Sequence, residues 1–348
     1  MNSSHTSLPR IAVLATGGTI AGEAGDVSKT SGYKAGVVGV DKLLGAVPSL
    51  SHGVDKLLGA VPSLSQVAQI QAEQVASIDS KDMTPALWAT LCTRVNALLA
   101  QDDIDGIVIT HGTDTLEETA YLLHLTVKSE KPVVLTAAMR PATALSADGP
   151  LNLLNAVTVA ASRASWKQGV LVAFNNQIHC ARDVTKTSTY AVDAFRSPEG
   201  GALGWVQDGQ VEFQRSVVRP HTLHSPFQMP AELPAVEIVT SYAGASRAAI
   251  DALVATGVKG LVMAGTGNGS IHSTLQQAVA DAVKQGVAVV RSSRVGAGHV
   301  MRNGAAPDDA LGSITAGALN PYKARVLLML ALGAGTASAD LQRVFDTY

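Results

Sequence analysis

The sequence predicts an α/β protein in which a large N-terminal α/β domain on a parallel sheet precedes a smaller C-terminal α/β domain. One observation is that short apolar runs, rich in β-branched residues, alternate with helical stretches along most of the chain. Such runs are typical of parallel strands that helices cover on both faces. The other is that the alternation lapses once, around residues 196–234. With 348 residues, of which 47% are hydrophobic, the chain can fill two sizeable cores.

The first domain is predicted to contain four strands with helices between them. The strands are apolar runs bounded by turn signals, at residues 11–16, 106–110, 132–136 and 169–174. A helix is predicted at 84–100, where Thr84 is a candidate N-cap and Pro85 stands in the first turn. A second helix with a similar capped start is predicted at 146–164.

The second domain begins where the alternation of strands and helices resumes. Its predicted strands cover residues 236–242, 260–265 and 287–293. The preceding residues, 196–234, concentrate proline, glycine and polar residues and are interpreted as a linker region. We therefore divide the chain into an N-terminal domain, a linker and a C-terminal domain, at 1–215, 216–234 and 235–348.

The composition argues against several classes of protein. The 26 basic and 28 acidic side chains give a net charge of −2, so no nucleic-acid partner is expected. The apolar runs are too short to span a bilayer, so no membrane partner is expected. Cys92 and Cys180 could pair, but two free thiols in a reducing compartment are the simpler interpretation. Residues 1–10 lack the apolar part of a secretory signal, which favours a cytoplasmic protein, or a periplasmic one if an upstream signal was removed.

A glycine-rich turn, ATGGTIAG at 15–22, follows the first predicted strand. Ligands of open parallel sheets bind outside the carboxyl ends of the strands, so this turn is a candidate site. Gly17 and Gly18 would let the backbone approach a ligand closely, and Thr19 places a hydroxyl beside them. Taken alone, the pattern also fits a phosphate-binding turn.

A second polar motif, HGTDTLEET at 111–119, follows another predicted strand. Thr113 and Asp114 would lie at the strand tip, before a helix whose unpaired N–H groups suit an oxyanion or a carboxylate. Alternatively, Thr113 or Thr115 only caps that helix. We interpret His111 as a packed histidine rather than a ligand. Because the chain has neither HxxxH nor CxxC spacing, no metal site is expected.

Lys186 lies in a third polar segment, RDVTKT at 182–187. A lysine buried beside a hydroxyl can lose its proton and then activate that hydroxyl as a nucleophile. Lys186 could serve Thr113 in this way, or it could be an ordinary surface charge. The sequence does not show whether the two residues meet.

Another glycine-rich segment, MAGTGNGS at 263–270, partly fits the dinucleotide-binding pattern. No acidic residue follows about 20 residues later at the end of a next strand, as that pattern requires. No glycine-rich loop is followed by GKS or GKT, which argues against a Walker-type NTPase.

One segment is duplicated: GVDKLLGAVPSLS occurs at 39–51 and, letter for letter, at 53–65. Architectural repeats diverge and have periods of about 20 residues or more. We therefore interpret the duplication as a recent tandem event or an artefact, not as a functional array. We expect the second copy to occupy the groove on the sheet, because it keeps the downstream neighbour QVAQIQAEQ.

Together, the motifs resemble the bacterial L-asparaginase family, in particular its type II-like branch. The matching segments occur in the family's order and extend over nearly the whole chain. They are ATGGTIAG (15–22), ITHGTDTLEETA (109–120), AAMRP (137–141), SADGPLNL (146–153), RDVTKT (182–187), AGTGNGS (264–270), RSSRVGAG (291–298) and ALNPYKARVLL (318–328). TGGTIAG and HGTDTLEET are each specific, and their occurrence together with DVTKT leaves little room for chance.

The resemblance implies hydrolysis of the side-chain amide of L-asparagine to the acid and ammonia, without a metal or another cofactor. It implies a small-molecule amino-acid substrate and a homotetramer of two intimate dimers, in which a neighbour's C-terminal domain closes each site. It also implies that the large N-terminal domain is the catalytic one. The alternatives are a dual glutaminase-asparaginase and a non-catalytic amino-acid-binding protein on the same scaffold.

The resemblance assigns catalytic roles to five residues. Thr19 corresponds to the nucleophile that attacks the amide carbon, and Tyr33 to a loop tyrosine that activates it. Thr113, Asp114 and Lys186 correspond to a second cluster, in which Asp114 also binds the α-amine of the substrate.

Further residues are assigned to substrate binding, namely Gly18, Ser80, Lys81, Gly112, Ala138 and Ser270. Ser80 corresponds to a serine that binds the α-carboxylate, and the backbone around Ala138 to a contact with the amide. Backbone N–H groups near Gly18 and Thr113 are expected to stabilise the oxyanion.

Two of these positions depart from the family's usual pattern. Lys81 stands where Gln or Glu usually follows the carboxylate-binding serine. Its ammonium would attract the substrate carboxylate, or it would extend into solvent. Ser270 stands where strict asparaginases often carry asparagine, and members with serine there tend to tolerate glutamine.

Overall fold

The computed structural model describes residues 7–21, 61 and 63–348. The chain divides into two compact units, Met1–Val218 (unit 1) and Arg219–Tyr348 (unit 2). Each contains a sheet with parallel strands and helices, which confirms the predicted α/β class with a larger N-terminal and a smaller C-terminal part. Within the described ranges, no helix has the length and hydropathy needed to cross a bilayer.

The strands described in unit 1 are β1 (Arg10–Gly17), β2 (Gln69–Ile78), β3 (Gly106–Thr110), β4 (Val133–Thr136), β5 (Val170–Phe174), β6 (Gln177–Cys180), β7 (Thr185–Lys186), β8 (Phe195–Arg196), β9 (Gly204–Gln207) and β10 (Gln210–Phe213). One sheet has the order β10-β9-β6-β5-β4-β3-β1-β2, while β7 and β8 form a separate antiparallel pair. The strands from β5 to β2 are parallel. Every residue of β3, β4 and β5 is buried, which explains their almost continuously apolar sequences.

An antiparallel hairpin lies at the edge of this sheet, inside the predicted N-terminal domain and within the region where the alternation of strands and helices lapses in the sequence. Residues 204–213 form the hairpin β9–β10, joined by Asp208 and Gly209 with φ of 49° and 76°. Positive φ at both positions is the two-residue turn that Asp-Gly favours. Strand β9 alternates buried and exposed residues, so it lacks the apolar run that marks the inner strands.

The helices described in unit 1 are α1 (Leu64–Val67), α2 (Pro85–Leu99), α3 (Leu116–Thr126) and α4 (Gly149–Ala161). Thr84 caps α2 as predicted, because its hydroxyl accepts a hydrogen bond from a first-turn N–H at 3.3 Å. The second predicted helix begins later than expected, at Gly149. The Asp148 carboxylate does not cap it but accepts hydrogen bonds from the N–H groups of Met139 and Arg140, both at 2.9 Å.

The end of the second copy of the duplicated segment is part of the core of unit 1. Val61 and Leu64 are buried in the apolar cluster that α1 and α4 form with the sheet. This placement agrees with the expectation that the second copy occupies the groove on the sheet. The first copy, 39–51, and most of the second lie outside the described residues.

Unit 2 is built on a four-stranded parallel sheet in sequence order. Its strands are β11 (Val236–Thr240), β12 (Gly260–Gly265), β13 (Ala288–Ser293) and β14 (Ile314–Thr315). The helices described in this unit are α5 (Ala248–Ala255), α6 (Ser273–Lys284), α7 (Asp308–Leu311), α8 (Pro321–Gly333) and α9 (Leu341–Thr347). The first three strands coincide with the predicted runs within one or two residues at each end.

A buried ion pair, Arg291–Asp308, lies at the carboxyl side of this sheet. The Arg291 Nε donates to Asp308 Oδ1 at 2.8 Å, and Nη2 donates to Oδ2 at 2.5 Å. Both side chains are almost fully buried. The same guanidinium donates to the carbonyls of Asn268 at 3.0 Å and Met301 at 2.8 Å. One side chain therefore fastens two separate loops.

Candidate active site

The loop that follows β1 is pressed against the loop that follows β3. Gly17 and Gly18 have φ of +106° and +82°, a region that favours glycine. A Cβ atom on Gly18 would lie 2.4 Å from the Cα of Gly112, so only glycine permits this approach. Thr19 follows at once in a short 3-10 turn and is 6% exposed. The backbone contact thus brings the Thr19 segment beside the HGTDT motif.

Ser80 joins these two loops to the end of β2, which neighbours β1 in the sheet. Its hydroxyl accepts a hydrogen bond from the Asp114 N–H at 3.2 Å. Its carbonyl accepts one from the Thr115 hydroxyl at 2.7 Å. A Cβ on Gly112 would lie 2.4 Å from the Ser80 Oγ, so the serine packs directly on that glycine. The carboxyl ends of β2, β1 and β3 are therefore interlocked.

Lys186 meets Thr113, the contact that the sequence left open. Its Nζ lies 2.9 Å from the Thr113 Oγ1 and 2.6 Å from the Asp114 Oδ1. The Lys186 side chain is 21% exposed, whereas that of Asp114 is 53% exposed and faces solvent. Thr113 is buried. The three residues form one hydrogen-bonded cluster with an open side at the carboxylate.

Neither the Thr113 nor the Thr115 side chain caps the helix α3, contrary to the alternative interpretation. Thr115 precedes the helix, but its side chain makes no cap hydrogen bond and instead donates to Ser80. The Thr113 hydroxyl is engaged with Lys186.

Glu117 is a buried carboxylate that the sequence analysis did not single out. It stands in the first turn of α3 and is 6% exposed. Its Oε2 accepts a hydrogen bond from the backbone N–H of Lys186 at 2.8 Å. The available signal was its position within the HGTDTLEET motif, close to Thr113.

His111 is a packed, neutral histidine, as the sequence analysis expected. Its Nδ1 lies 2.8 Å from the Gly112 carbonyl, and its Nε2 lies 3.0 Å from the Thr119 hydroxyl. The Trp88 Nε1 donates to the same hydroxyl at 2.8 Å. Because a carbonyl only accepts, Nδ1 carries the proton and Nε2 accepts from Thr119. Burial lowers the pKa of His111 to about 4, against a smaller opposite effect of the Gly112 carbonyl.

The loop after β4 contains Ala138 and is held by two residues of the SADGPLNL motif. Asp148 binds the two N–H groups that follow Ala138. The Asn152 amide donates to the Ala137 carbonyl at 3.0 Å. Both residues were quoted in the motif without a role, and here they fix the backbone next to Ala138. Ala138 itself is fully buried.

The backbone donors expected near Gly18 and Thr113 differ in availability. The Gly18 N–H donates to the Ile78 carbonyl at 2.9 Å, which fixes the loop and occupies that donor. An oxyanion donor near Gly18 would therefore be another N–H group of this loop, and it stays a prediction. The Thr113 N–H has no acceptor in the described part of the chain.

Lys81 is paired with two acidic neighbours and is largely exposed. Its Nζ lies 2.6 Å from an Asp79 oxygen and 3.3 Å from an Asp82 oxygen, and its side chain is 61% exposed. Its pKa is raised, chiefly by the hydrogen bond to Asp79. This geometry favours the second of the two interpretations of Lys81, extension into solvent.

Tyr33 and Ser270 are the remaining sequence candidates. Tyr33 is outside the described residues. Ser270 belongs to unit 2, where it closes a glycine-rich turn through paired backbone hydrogen bonds with Thr266 of 2.7 and 2.9 Å. Over residues 7–21, 61 and 63–348, no group of three or more His, Cys, Asp or Glu side chains is arranged to hold a metal ion.

Comparison with known proteins gives matches along almost the entire chain. The family model described as "Asparaginase, N-terminal" matches residues 10–219, and the "Glutaminase/Asparaginase C-terminal domain" matches residues 235–345. The chain is 46% identical over 344 residues to L-asparaginase 2 of Escherichia coli (strain K12), covering 98% of this chain and 94% of that one. It is 43% identical over 346 residues to a glutaminase-asparaginase of Pseudomonas fluorescens biotype A, covering 99% and 91%.

A solved structure agrees with these relatives. The crystal structure of a probable cytoplasmic L-asparaginase from Campylobacter jejuni matches with a TM-score of 0.91 and 46% identity. The match covers 98% of this chain and 100% of that chain. Since both family models and full-length relatives agree with the fold and with the resemblance of the motifs, the chain belongs to the asparaginase family of amidohydrolases.

Proposed function

We propose that this chain hydrolyses the side-chain amide of L-asparagine to L-aspartate and ammonia. The observation that carries the proposal is the Lys186–Thr113–Asp114 cluster, held against the Thr19 loop by the contact of Gly18 with Gly112. A hydroxyl with an amine partner, beside a second buried hydroxyl, is the equipment for acyl transfer. Membership of the asparaginase family supports the same reaction.

In the proposed reaction, the Thr19 oxygen attacks the amide carbon of the substrate. A C–O bond forms, the Thr19 proton passes to a base, and the tetrahedral oxyanion is stabilised by backbone donors such as the Thr113 N–H. The C–N bond then breaks, and ammonia leaves with a proton. Water hydrolyses the resulting ester, which releases aspartate and restores Thr19. Tyr33 is proposed to assist the first proton transfer.

The cluster of Thr113, Asp114 and Lys186 is proposed to transfer protons and to bind the substrate. Thr113 is proposed to relay a proton between the attacking water and Lys186, whose Nζ lies 2.9 Å from the Thr113 Oγ1. The exposed Asp114 carboxylate is available to the α-ammonium group of the substrate. Ser80 is proposed to bind the α-carboxylate, and the backbone around Ala138 the amide.

A dual glutaminase-asparaginase is the second candidate function. Ser270, together with a 43% identical relative named glutaminase-asparaginase, favours it. Asparagine and glutamine differ by one methylene, which is worth only about 1–3 kcal/mol of discrimination in a pocket. We therefore expect measurable glutamine turnover beside a preference for asparagine.

Two further features are proposed on the same basis. The chain is proposed to assemble as a homotetramer of two intimate dimers, as the family resemblance implies; light scattering on the purified protein tests this. It is proposed to be cytoplasmic, because Cys92 and Cys180 are both buried free thiols and the matched Campylobacter jejuni structure is described as cytoplasmic. Cell fractionation tests that location.

The decisive experiment measures ammonia release from L-asparagine, L-glutamine and their D-forms. Thr19→Ala and Thr113→Val should each lower kcat by at least about 100-fold, the scale for loss of a nucleophile or an activated group. Thr90→Val, on an exposed face of α2, is the matched control and should leave kcat unchanged. Folded Thr19→Ala or Thr113→Val protein with wild-type turnover would show that the residue is misassigned. Absence of ammonia release from every substrate would support the binding-protein alternative.

A further inference from the structure

Lys186 lies on a very short strand, yet the proposed reaction requires its amine to be positioned to within a fraction of an ångström. Strand β7 has only two residues and pairs with the equally short β8. The side chain adds four methylene groups between this backbone and the Thr113 hydroxyl. A flexible side chain on a two-residue strand fixes the position of its amine only weakly. We therefore expect a second contact that fixes the backbone of Lys186.

Glu117 supplies a contact with the geometry of such a constraint. Its carboxylate accepts a hydrogen bond from the backbone N–H of Lys186 at 2.8 Å, and the residue is only 6% exposed. Glu117 lies in the first turn of α3, four residues after Thr113 in the chain. One end of the hydrogen bond therefore belongs to the segment that carries Thr113 and Asp114, and the other to the backbone that carries the amine.

We propose that Glu117 is a positioning residue, which sets the distance between Lys186 and Thr113 through its hydrogen bond to the Lys186 backbone. This inference rests on the proposed function, because it assumes that the contact between Lys186 and Thr113 is catalytic. Glu117 acts through Lys186 and has no contact with the substrate assigned to it. The required feature is a hydrogen-bond acceptor at the end of a side chain of this length. The negative charge is not required.

The sequence offers two neighbouring candidates, and the helix decides between them. Glu117 and Glu118 are adjacent in the motif, but successive helical residues are rotated by about 100° around the axis. Glu117 is turned into the protein, whereas Glu118 is only half-buried. The carboxylate at 117 also lies near the positive end of the α3 dipole, which helps to keep it in place.

The expected effect is on the chemical step. Misplacement of a catalytic group by about 1 Å can cost on the order of 100-fold in rate. Glu117→Met keeps the length of the side chain and removes the acceptor. It should lower kcat for L-asparagine about 10- to 100-fold, with KM changed by less than about threefold, because substrate contacts remain.

Two conservative variants separate reach from charge. Glu117→Gln keeps an acceptor oxygen at the same reach without the charge, and should retain kcat within about threefold of wild type. Glu117→Asp keeps the charge but shortens the side chain by one methylene, and should lose about 10-fold or more. This pair also serves if Glu117→Met fails to fold. Glu118→Met is the matched control and should behave as wild type.

The experiment measures kcat and KM by ammonia release for these variants and for Lys186→Met, with circular dichroism to verify folding. The proposal is supported if kcat ranks Gln above Asp and Met while KM stays constant, and if Glu117→Met adds little to Lys186→Met. It is overturned if folded Glu117→Met has wild-type kcat, or if Gln is impaired and Asp is not. An active Lys186→Met enzyme would refute the role of Lys186 itself, and the inference with it. An inactive Lys186→Met beside an active Glu117→Met would refute the inference alone.

Discussion

The burial of His111 predicts that the protein loses stability as the pH falls below the ordinary pKa of histidine. In the folded chain the pKa is lowered from 6.5 to about 4, chiefly by burial. Above pH 6.5 the ring is neutral in both the folded and the unfolded chain, so the full stability is present. As the pH falls from 6.5 towards 4, the unfolded chain binds a proton that the folded chain does not.

The magnitude follows from the two pKa values. The difference corresponds to roughly 3 kcal/mol, at about 1.4 kcal/mol per pH unit. The ring is hydrogen-bonded on both nitrogens, and Nε2 accepts from Thr119. Protonation would turn that acceptor into a donor, so the bond would have to reorient at a cost.

Guanidinium unfolding, followed by circular dichroism between about pH 7.5 and about pH 4.5, measures this loss. The free energy of unfolding of the wild type is compared with that of His111→Gln, whose amide can donate and accept but does not titrate in this range. The variant should lose about 2–3 kcal/mol less than the wild type over the interval. His299→Gln, at an exposed histidine of unit 2, is the control and should keep the pH dependence of the wild type. Equal pH dependence in the wild type and His111→Gln would refute the reasoning.

Three further outcomes are expected. Gly18→Ala should lower kcat/KM by about 100-fold or more, because its Cβ would lie 2.4 Å from the Cα of Gly112 and displace Thr19; Gly209→Ala, with similar φ but open space, should keep full activity in the ammonia assay. Lys81→Gln should leave KM for asparagine unchanged within about twofold, since two aspartates already hold the ammonium; a clear rise would show a contact with substrate. Deletion of residues 39–52 should preserve the circular dichroism spectrum and the activity, because a single copy still supplies the buried end of the segment; unfolding would show that the extra copy is integral.

The inner strands of the sheet could be predicted from the sequence because the signal for each strand lies within its own residues. Strands β3, β4 and β5 are buried on both faces, so each gives a continuous apolar run between turns. Strand β9 lies near the sheet edge and alternates buried with exposed residues, so it gave no such run. Its Asp-Gly turn was the missed signal, since that dipeptide strongly favours a hairpin.

The site was only partly predictable because its contacts join distant parts of the chain. Thr113 and Lys186 are 73 positions apart, and no local pattern reports that their side chains meet at 2.9 Å. The family resemblance named both residues, but it gave no role to Glu117. The choice between Glu117 and Glu118 depends on the rotation of α3 against its neighbours, which is a property of packing rather than of composition.

The Arg291–Asp308 pair restricts which substitutions unit 2 can accept. Removing one partner would leave a buried charge uncompensated, at a cost of about 3–5 kcal/mol, whereas apolar replacement of both is often neutral. The two positions are therefore expected to vary together rather than singly. Even a well-tolerated double replacement would release the Asn268 and Met301 carbonyls, because one guanidinium binds both. A double replacement that leaves the free energy of unfolding unchanged would thus allow the two loops to move independently. Mutant libraries that target either loop should therefore keep Arg291 unchanged.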